Sequence, residues 1–194
     1  MDKAMEACRQ MLTGDQPDAT QTLMDIAATG REGGLAAELR QRLPPETPEE
    51  EIRYHLFGLI FASQVTTDAA LGFLIARTLG TSADDPVEET LRHNPPAPLS
   101  LWRFTTEPLE LAGVELPERA PVLVDIGGLG LTFGAGPHFC IGAQLAQAEL
   151  RAVQTVLARD FPSARLAMPY EELEQIVFGG IGGSRLKELP VVLS

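Results

Sequence analysis

The sequence predicts a mostly α protein with a small antiparallel β part, in a single domain of residues 1–194. The helices are predicted by a long apolar segment that contains no proline between Pro48 and Pro86. They are also predicted by two helix starts in which a proline follows a capping residue. The sheet is predicted by residues 99–125, which are rich in Leu, Val, Phe, Trp and Thr and are interrupted by turns.

Each helix is predicted from its start signal and from the residues that end it. The first forty residues favour short helices that break at Gly14, Gly30 and Gly33–Gly34. At Thr47-Pro48-Glu49-Glu50, a capping Thr, a Pro at the first helical position and a Glu three residues after the cap begin a long helix. It is expected over about 48–79, and its polar residues argue for a buried helix of a soluble protein rather than a membrane span.

The remaining elements follow from the same kinds of signal. Asp85-Pro86-Val87-Glu88 predicts a short helix that ends near His93, because the Pro-rich segment 94–98 cannot continue it. Short antiparallel strands are expected over 99–125, with turns at 112–113 and 118–120. A loop over 127–136, a helix over about 142–159, and Gly-rich turns with a final strand over 178–194 complete the prediction.

Composition excludes some classes of partner. Lys and Arg number 15 against 27 Asp and Glu, so the net charge of −12 argues against a nucleic-acid partner and against a membrane surface. Two distant cysteines, with no signal peptide, indicate a reducing compartment. The expected location is therefore the cytoplasm.

The run Phe-Gly-Ala-Gly-Pro-His-Phe-Cys-Ile-Gly at 133–142 is the strongest candidate site. It places Cys140 at a helix start, where backbone N–H groups and the helix dipole favour a thiolate that suits iron. One alternative is a buried, inert cysteine in a turn. Another is zinc held by His138 and Cys140, but a second pair of ligands is lacking and Cys8 is isolated.

This run resembles the heme-binding loop of the cytochrome P450 family, and it continues into the family's Leu-Ala-x-x-Glu at 145–149. The resemblance implies that Cys140 is the metal ligand, the axial ligand of a heme iron. It also implies that His138 faces a heme propionate and that Phe133 shields the sulfur. Gly134 and Gly142 belong to the same cofactor-binding loop, 133–142.

A polar face on the long helix is the second candidate. Ser63, Thr66 and Thr67 fall at i, i+3 and i+4, so their hydroxyl groups share one side of an apolar helix. Close packing of small polar residues is the alternative interpretation. The segment from Ala62 to Thr67 is similar to the family's oxygen-activating segment, and Thr66 takes the place of the Thr that helps to deliver protons. Ser63 replaces the usual Gly, and Val65 replaces the usual acid.

Two further resemblances concern the scaffold and the heme edge. Glu89 and Arg92, three apart, can form an ion pair, which in exposed positions contributes little. Their segment resembles the Glu-x-x-Arg helix of the family, whose buried ion pair locks the fold around the cysteine loop. Arg103 lies where the family places a strand Arg that binds a heme propionate, although a solvated strand charge is the alternative.

One rival motif points to a different class of protein. The strand 122–126 followed by Gly127-Gly128-Leu129-Gly130 looks superficially like the first motif of nucleotide-type methyltransferases. That motif needs a helix directly after the glycines, and none is expected here.

The resemblance implies a function and a set of partners. It covers roughly Asp18 to the C-terminus, the C-terminal portion of the cytochrome P450 fold, and implies that the N-terminal half is absent and that internal stretches are short. The implied activity is that of a heme-thiolate monooxygenase, which inserts one oxygen atom of O2 into a small organic substrate. Electrons would come from NAD(P)H through a ferredoxin or flavoprotein reductase, and a missing N-terminal half or an oligomer partner would complete the fold. The alternative is a non-catalytic relative that binds heme or serves as a protein-interaction partner.

Overall fold

The computed structural model describes Lys3, residues 6–8, Gln10, and residues 18–28, 34–177 and 182–193. The chain divides into two compact units, residues 1–67 and residues 68–194, and the predicted single domain remains a prediction. The α-helices with defined bounds are α1 (Ala19–Ala28), α2 (Leu35–Arg42), α3 (Glu49–Gly80), α4 (Pro86–His93) and α5 (Ala143–Asp160). The strands are β1 (Arg103–Phe104), β2 (Leu109–Leu111), β3 (Val114–Leu116), β4 (Pro121–Val122), β5 (Arg165–Leu166), β6 (Gln175–Val177), β7 (Ser184–Leu186) and β8 (Val191–Val192). The mostly α architecture with small antiparallel pairs is the one predicted.

The first unit is built on α1, α2 and the first part of α3. One apolar cluster joins Ala36 of α2 to Ile52 and Leu56 of α3. A second cluster contains Ala7, Cys8 and Leu23, and Val65 of α3 packs against it. The breaks predicted at Gly14, Gly30 and Gly33 lie outside the described residues.

Helix α3 begins one residue after the predicted start and ends one residue after the predicted end. Three glutamates occupy its first turn, where the positive end of the helix dipole stabilises negative charge. Within the described residues it is the one helix long and apolar enough to cross a membrane, a test that core helices of soluble proteins also pass. Only 28% of its most apolar window is buried. The buried position expected for this helix is therefore wrong for most of that window.

The second unit places α4 against α5. Asp85 caps α4, since its Oδ1 accepts hydrogen bonds from the N–H groups of Val87 and Glu88, each at 3.1 Å. Val87 of α4 and Leu150 of α5 share a buried cluster with Ala70 and Leu74 of α3. This packing fixes the helix that follows Cys140, and both helices agree with the sequence prediction.

Within the part of the chain that the structure describes, the strands form four separate antiparallel pairs rather than one sheet: β1 with β4, β2 with β3, β5 with β8, and β6 with β7. The β2–β3 hairpin turns at Ala112 and Gly113, whose φ angles of 51° and 83° are both positive. That pair of angles matches a two-residue hairpin turn, which confirms the turn predicted there. Strands β5 to β7 were not predicted, and the Gly-rich residues 178–181 lie outside the described residues.

Candidate functional site

Cys140 occupies a loop that ends directly before α5. Its N–H donates to the carbonyl of Phe133 at 2.8 Å, and the N–H of Ala143 donates to the carbonyl of Cys140 at 3.2 Å. The thiol is exposed. Backbone hydrogen bonds on both sides of Cys140 therefore hold it in place while its sulfur stays accessible to a ligand.

Glycines shape this loop at two positions. Gly134 and Gly136 have φ angles of +72° and +61°, which side-chain-bearing residues rarely adopt. A Cβ on Gly134 would also lie 3.2 Å from the carbonyl oxygen of His138. At Gly142 a Cβ would lie 3.7 Å from the Cys140 sulfur, an ordinary contact. The positive φ angles therefore favour glycine at Gly134 and Gly136, and Gly142 is the glycine whose added Cβ would contact the sulfur.

Large apolar side chains stand exposed beside the thiol. Phe139 is 54% exposed, Ile141 88% and Leu145, in the first turn of α5, 62%. A contiguous patch of exposed apolar side chains often marks a surface that binds a ligand or another protein. An apolar ligand over Cys140 would bury them.

Two nitrogen-bearing side chains of the second unit have no acidic partner among the described residues. Among the described residues, neither Arg103 nor His138 makes an ion pair or a side-chain hydrogen bond. Arg103 is half-buried in β1, opposite Val122 of β4, and His138 is exposed in the short 3₁₀ turn Gly136–His138. In a chain with a net charge of −12, the Arg103 guanidinium and a ring N–H of His138 are free to donate to an anionic ligand group.

The polar face of α3 lies in the first unit and is described by itself. The Thr66 hydroxyl donates to the carbonyl of Ala62 at 2.7 Å, and the Ser63 hydroxyl donates to the carbonyl of Ile60 at 3.1 Å. The helix continues through this point. The hydroxyl proton of Thr66 is therefore engaged with the backbone, and the hydroxyl oxygen can still accept a hydrogen bond. Thr67 is half-buried beside it.

The Glu89–Arg92 pair forms, but it is not buried. Arg92 contacts Glu89 with 54% of its side chain exposed, and His93 Nε2 also lies 3.2 Å from the Glu89 carboxylate. The burial implied by the family resemblance is wrong here, because these side chains lie on the solvent face of α4. An exposed ion pair contributes little to stability. The apolar packing of Val87 against Leu150 therefore contributes more than the ion pair to the attachment of α4.

The rival methyltransferase motif is also tested by the structure. Residues 126–130 form turns, and the N–H of Leu131 donates to the carbonyl of Ile126 at 2.8 Å. No helix follows these glycines before the Cys140 loop. The methyltransferase interpretation is wrong, as the sequence already indicated.

Comparisons with known proteins identify relatives over most of the chain. It is 45% identical over 175 residues to cytochrome P-450 monooxygenase DoxA of Streptomyces sp. (strain C5), an alignment that covers 75% of this chain and 41% of the relative. It is 33% identical over 175 residues to erythromycin C-12 hydroxylase of Saccharopolyspora erythraea, covering 68% and 42%. A solved structure of the cytochrome P450 enzyme CxnD, for C–S bond formation in chuangxinmycin biosynthesis, superposes with a TM-score of 0.67 at 25% identity, covering 89% of this chain and 52% of that one. No family model matches the chain.

The chain belongs to the cytochrome P450 family. It spans about two fifths of the length of the curated relatives named above. The alignment with the first relative runs over 175 residues but includes only 75% of the 194 in this chain, so the relative carries internal residues that this cytochrome P450 lacks. The family identity and the internal shortening expected from the sequence are thereby confirmed.

The residues around Cys140 fit the heme that the family implies. A heme is a flat apolar ring with an iron at its centre and two anionic propionates, and a cysteine thiolate is one of its protein ligands. The exposed sulfur, its apolar neighbours Phe139, Ile141 and Leu145, and the unpaired His138 and Arg103 match those three features. The assignment of individual site residues in this cytochrome P450 remains a prediction.

Proposed function

We propose that this chain is the heme-binding portion of a heme-thiolate monooxygenase that inserts one oxygen atom of O2 into a small organic substrate. The observation that carries the proposal is the exposed Cys140 thiol, whose backbone is hydrogen-bonded on both sides in a loop that ends at α5. The two curated relatives reported above are named as a monooxygenase and a hydroxylase, which favours the catalytic interpretation over a non-catalytic one.

Each predicted site residue has a role in this proposal. Cys140 ligates the iron, Phe133 shields its sulfur, and Gly134 and Gly142 let the loop approach the ring. His138 and Arg103 bind the propionates. The heme, when bound, supplies the site at which O2 is bound and reduced.

Proton handling falls to the polar face of α3. By resemblance, Ala62, Thr66 and Thr67 would form the oxygen-activating segment and would hold a water there. Because the Thr66 hydroxyl donates to Ala62, its oxygen is free to accept a hydrogen bond from a water that carries protons. Val65 has no proton to give and packs on an apolar cluster, so we propose that proton delivery depends on Thr66 and water.

The proposal also names partners. Electrons come from NAD(P)H through a ferredoxin or a flavoprotein reductase, and the protein works in the cytoplasm. The substrate is a small organic molecule, as in a hydroxylase whose name specifies one carbon of erythromycin.

The ferrous–CO spectrum of the purified full chain tests the proposal. We expect a Soret band at the position of a thiolate-ligated heme in the wild type and its loss in Cys140→Ser, which removes the sulfur ligand. The matched control is Cys8→Ala, since Cys8 is the other cysteine and is buried among Ala7 and Leu23. Identical spectra for the wild type and Cys140→Ser, or no thiolate band in the wild type, would contradict the proposal.

A further inference from the structure

The Thr132 side chain joins two separate parts of the second unit. Its hydroxyl donates to the carbonyl of Leu91 at 2.7 Å, although the two residues are 41 positions apart. Leu91 lies in the last turn of α4, where backbone carbonyls have no partner within the helix. The neighbouring carbonyl of Thr90 is taken by the N–H of Asn94 at 2.9 Å. Thr132 therefore satisfies a helix-end carbonyl that the helix itself leaves open.

The residues on either side of Thr132 lead directly to Cys140. Phe133, the next residue, accepts the Cys140 N–H at 2.8 Å. Leu131, the preceding residue, accepts the Gly134 N–H at 2.7 Å. The peptide groups that set the position of the Cys140 backbone thus sit immediately beside the point of attachment to α4.

The rest of this connection is held by its own backbone and by one bond to the Pro-rich segment, from the Gly127 N–H to the carbonyl of Pro98 at 2.8 Å. Gly130 N–H donates to Gly127 at 2.9 Å, and Leu131 N–H donates to Ile126 at 2.8 Å. Asp125 Oδ1 accepts the Gly128 N–H at 2.7 Å and so closes a turn within the same segment. These bonds shape residues 125–131 without tying them to α4, whereas the Thr132 hydroxyl does tie them.

We propose that Thr132 is a positioning residue for Cys140, because its hydroxyl fixes the start of the Cys140 loop to the C-terminal end of α4. Without that bond, the position of Phe133 is less constrained. The hydrogen bond from the Cys140 N–H to the carbonyl of Phe133 then breaks more often. The part of this proposal that concerns heme rests on the proposed function. The part that concerns the loop does not.

Three variants separate the hydroxyl from general stability. Thr132→Val keeps the shape and removes the donor, and Thr132→Ser keeps the donor. Thr81→Val is the matched control, since the Thr81 hydroxyl donates at 2.9 Å to the carbonyl of Arg77 in the last turn of α3, away from the Cys140 loop in the chain. Amide hydrogen exchange at Cys140 and Gly134 is measured in the heme-free chain.

We expect exchange at these two amides to be about tenfold faster in Thr132→Val and within about twofold of wild type in Thr132→Ser and Thr81→Val. Equal exchange in Thr132→Val and wild type would overturn the positioning role, and so would faster exchange in Thr81→Val to the same degree. If the valine variant does not fold, Thr132→Ser decides, because tenfold faster exchange with the hydroxyl retained would also overturn it.

A second readout uses the heme-loaded chain. We expect the fraction of ferrous–CO complex with the thiolate Soret band to fall in Thr132→Val and to be restored in Thr132→Ser. A fall of the same size in Thr81→Val would overturn the proposal. If the proposed function is wrong, the thiolate band survives in Cys140→Ser. The hydrogen-exchange result does not depend on that outcome and tests the loop proposal independently.

Discussion

Replacement of Asp85 should separate a helix cap from an interhelical charge. One carboxylate oxygen of Asp85 accepts the N–H groups of Val87 and Glu88, and the other lies 3.4 Å from the Arg151 guanidinium of α5. The bond from the Glu88 N–H, aided by Arg151 and opposed by partial burial, holds the pKa of the Asp85 carboxyl below its usual range. The same side chain therefore starts α4 and connects it to the helix that follows Cys140.

The expected cost follows from these contacts. Loss of an N-cap acceptor costs about 1 kcal/mol in the free energy of unfolding. The Asp85–Arg151 pair keeps more than a third of each side chain in solvent, so it adds no more than about 0.5 kcal/mol. We expect Asp85→Ala to cost about 1.5 kcal/mol. We expect Asp85→Asn, which keeps a capping oxygen but loses the charge, to cost about 0.5 kcal/mol.

Urea unfolding at several pH values measures both the contribution of the helix cap and the contribution of the Asp85 charge. Because the folded-state pKa of Asp85 lies below the unfolded value of about 3.9, its charge stabilises the fold fully above that value. The stabilisation is lost as pH falls through the folded-state pKa. The stability difference between wild type and Asp85→Asn should therefore be constant near neutral pH and should shrink below about pH 4.

Asp84→Asn is the matched control. Asp84 is the adjacent carboxylate, is exposed, and makes no ion pair or side-chain hydrogen bond among the described residues. Its replacement should change stability by less than about 0.5 kcal/mol. The reasoning would be refuted if Asp84→Asn cost as much as Asp85→Asn, or if the Asp85→Asn difference persisted unchanged into acid.

Two further substitutions test the packing on each unit. Leu150→Ala should lower the free energy of unfolding by about 2–5 kcal/mol, since Leu150 is fully buried between α3, α4 and α5. The control Leu145→Ala, at an exposed site on the same helix, should change the free energy of unfolding by less than about 0.5 kcal/mol. Similar losses in chemical denaturation would contradict the assigned core. Val65→Asp should destabilise the fold by about 1–3 kcal/mol, because its carboxylate would pack against the apolar cluster of Ala7, Cys8 and Leu23. Val65→Ala is the uncharged comparison, and equal melting temperatures for the two variants would contradict this prediction.

The elements set by neighbouring residues were predictable. Asp85 and Pro86 act on the two or three residues that follow them, so the start of α4 could be located from the sequence. The turn at Ala112–Gly113 depends on two backbone angles and was found in the same way. Strand β5 was missed, because it has two residues and pairs with Val191 and Val192, which lie more than twenty positions away. A segment this short carries no alternation from which a strand could be recognised.

The position of the candidate site in the chain could be predicted from its motif, but the contacts and the solvent exposure of its residues could not. The spacing of Phe133, His138 and Cys140 is local, so the loop and the helix after it were located from the sequence. The link from Thr132 to Leu91 joins residues that are 41 positions apart, and nothing in either residue signals it. Likewise, the solvent exposure of Arg92 and the packing of Val65 on the cluster that contains Leu23 depend on which elements cover these side chains, and the spacing of residues does not specify that.

The contrast between the two cysteines has a practical consequence. Cys140 is exposed and Cys8 is buried, and burial raises the pKa of the Cys8 thiol, which keeps it protonated and unreactive. A maleimide dye or a nitroxide spin label should consequently attach to the unaltered chain at one position. Since that position is the sulfur assigned to iron, the extent of labelling would give the fraction of molecules whose metal site is still open. Purification would require a reductant to keep copies of the chain from joining through disulfides.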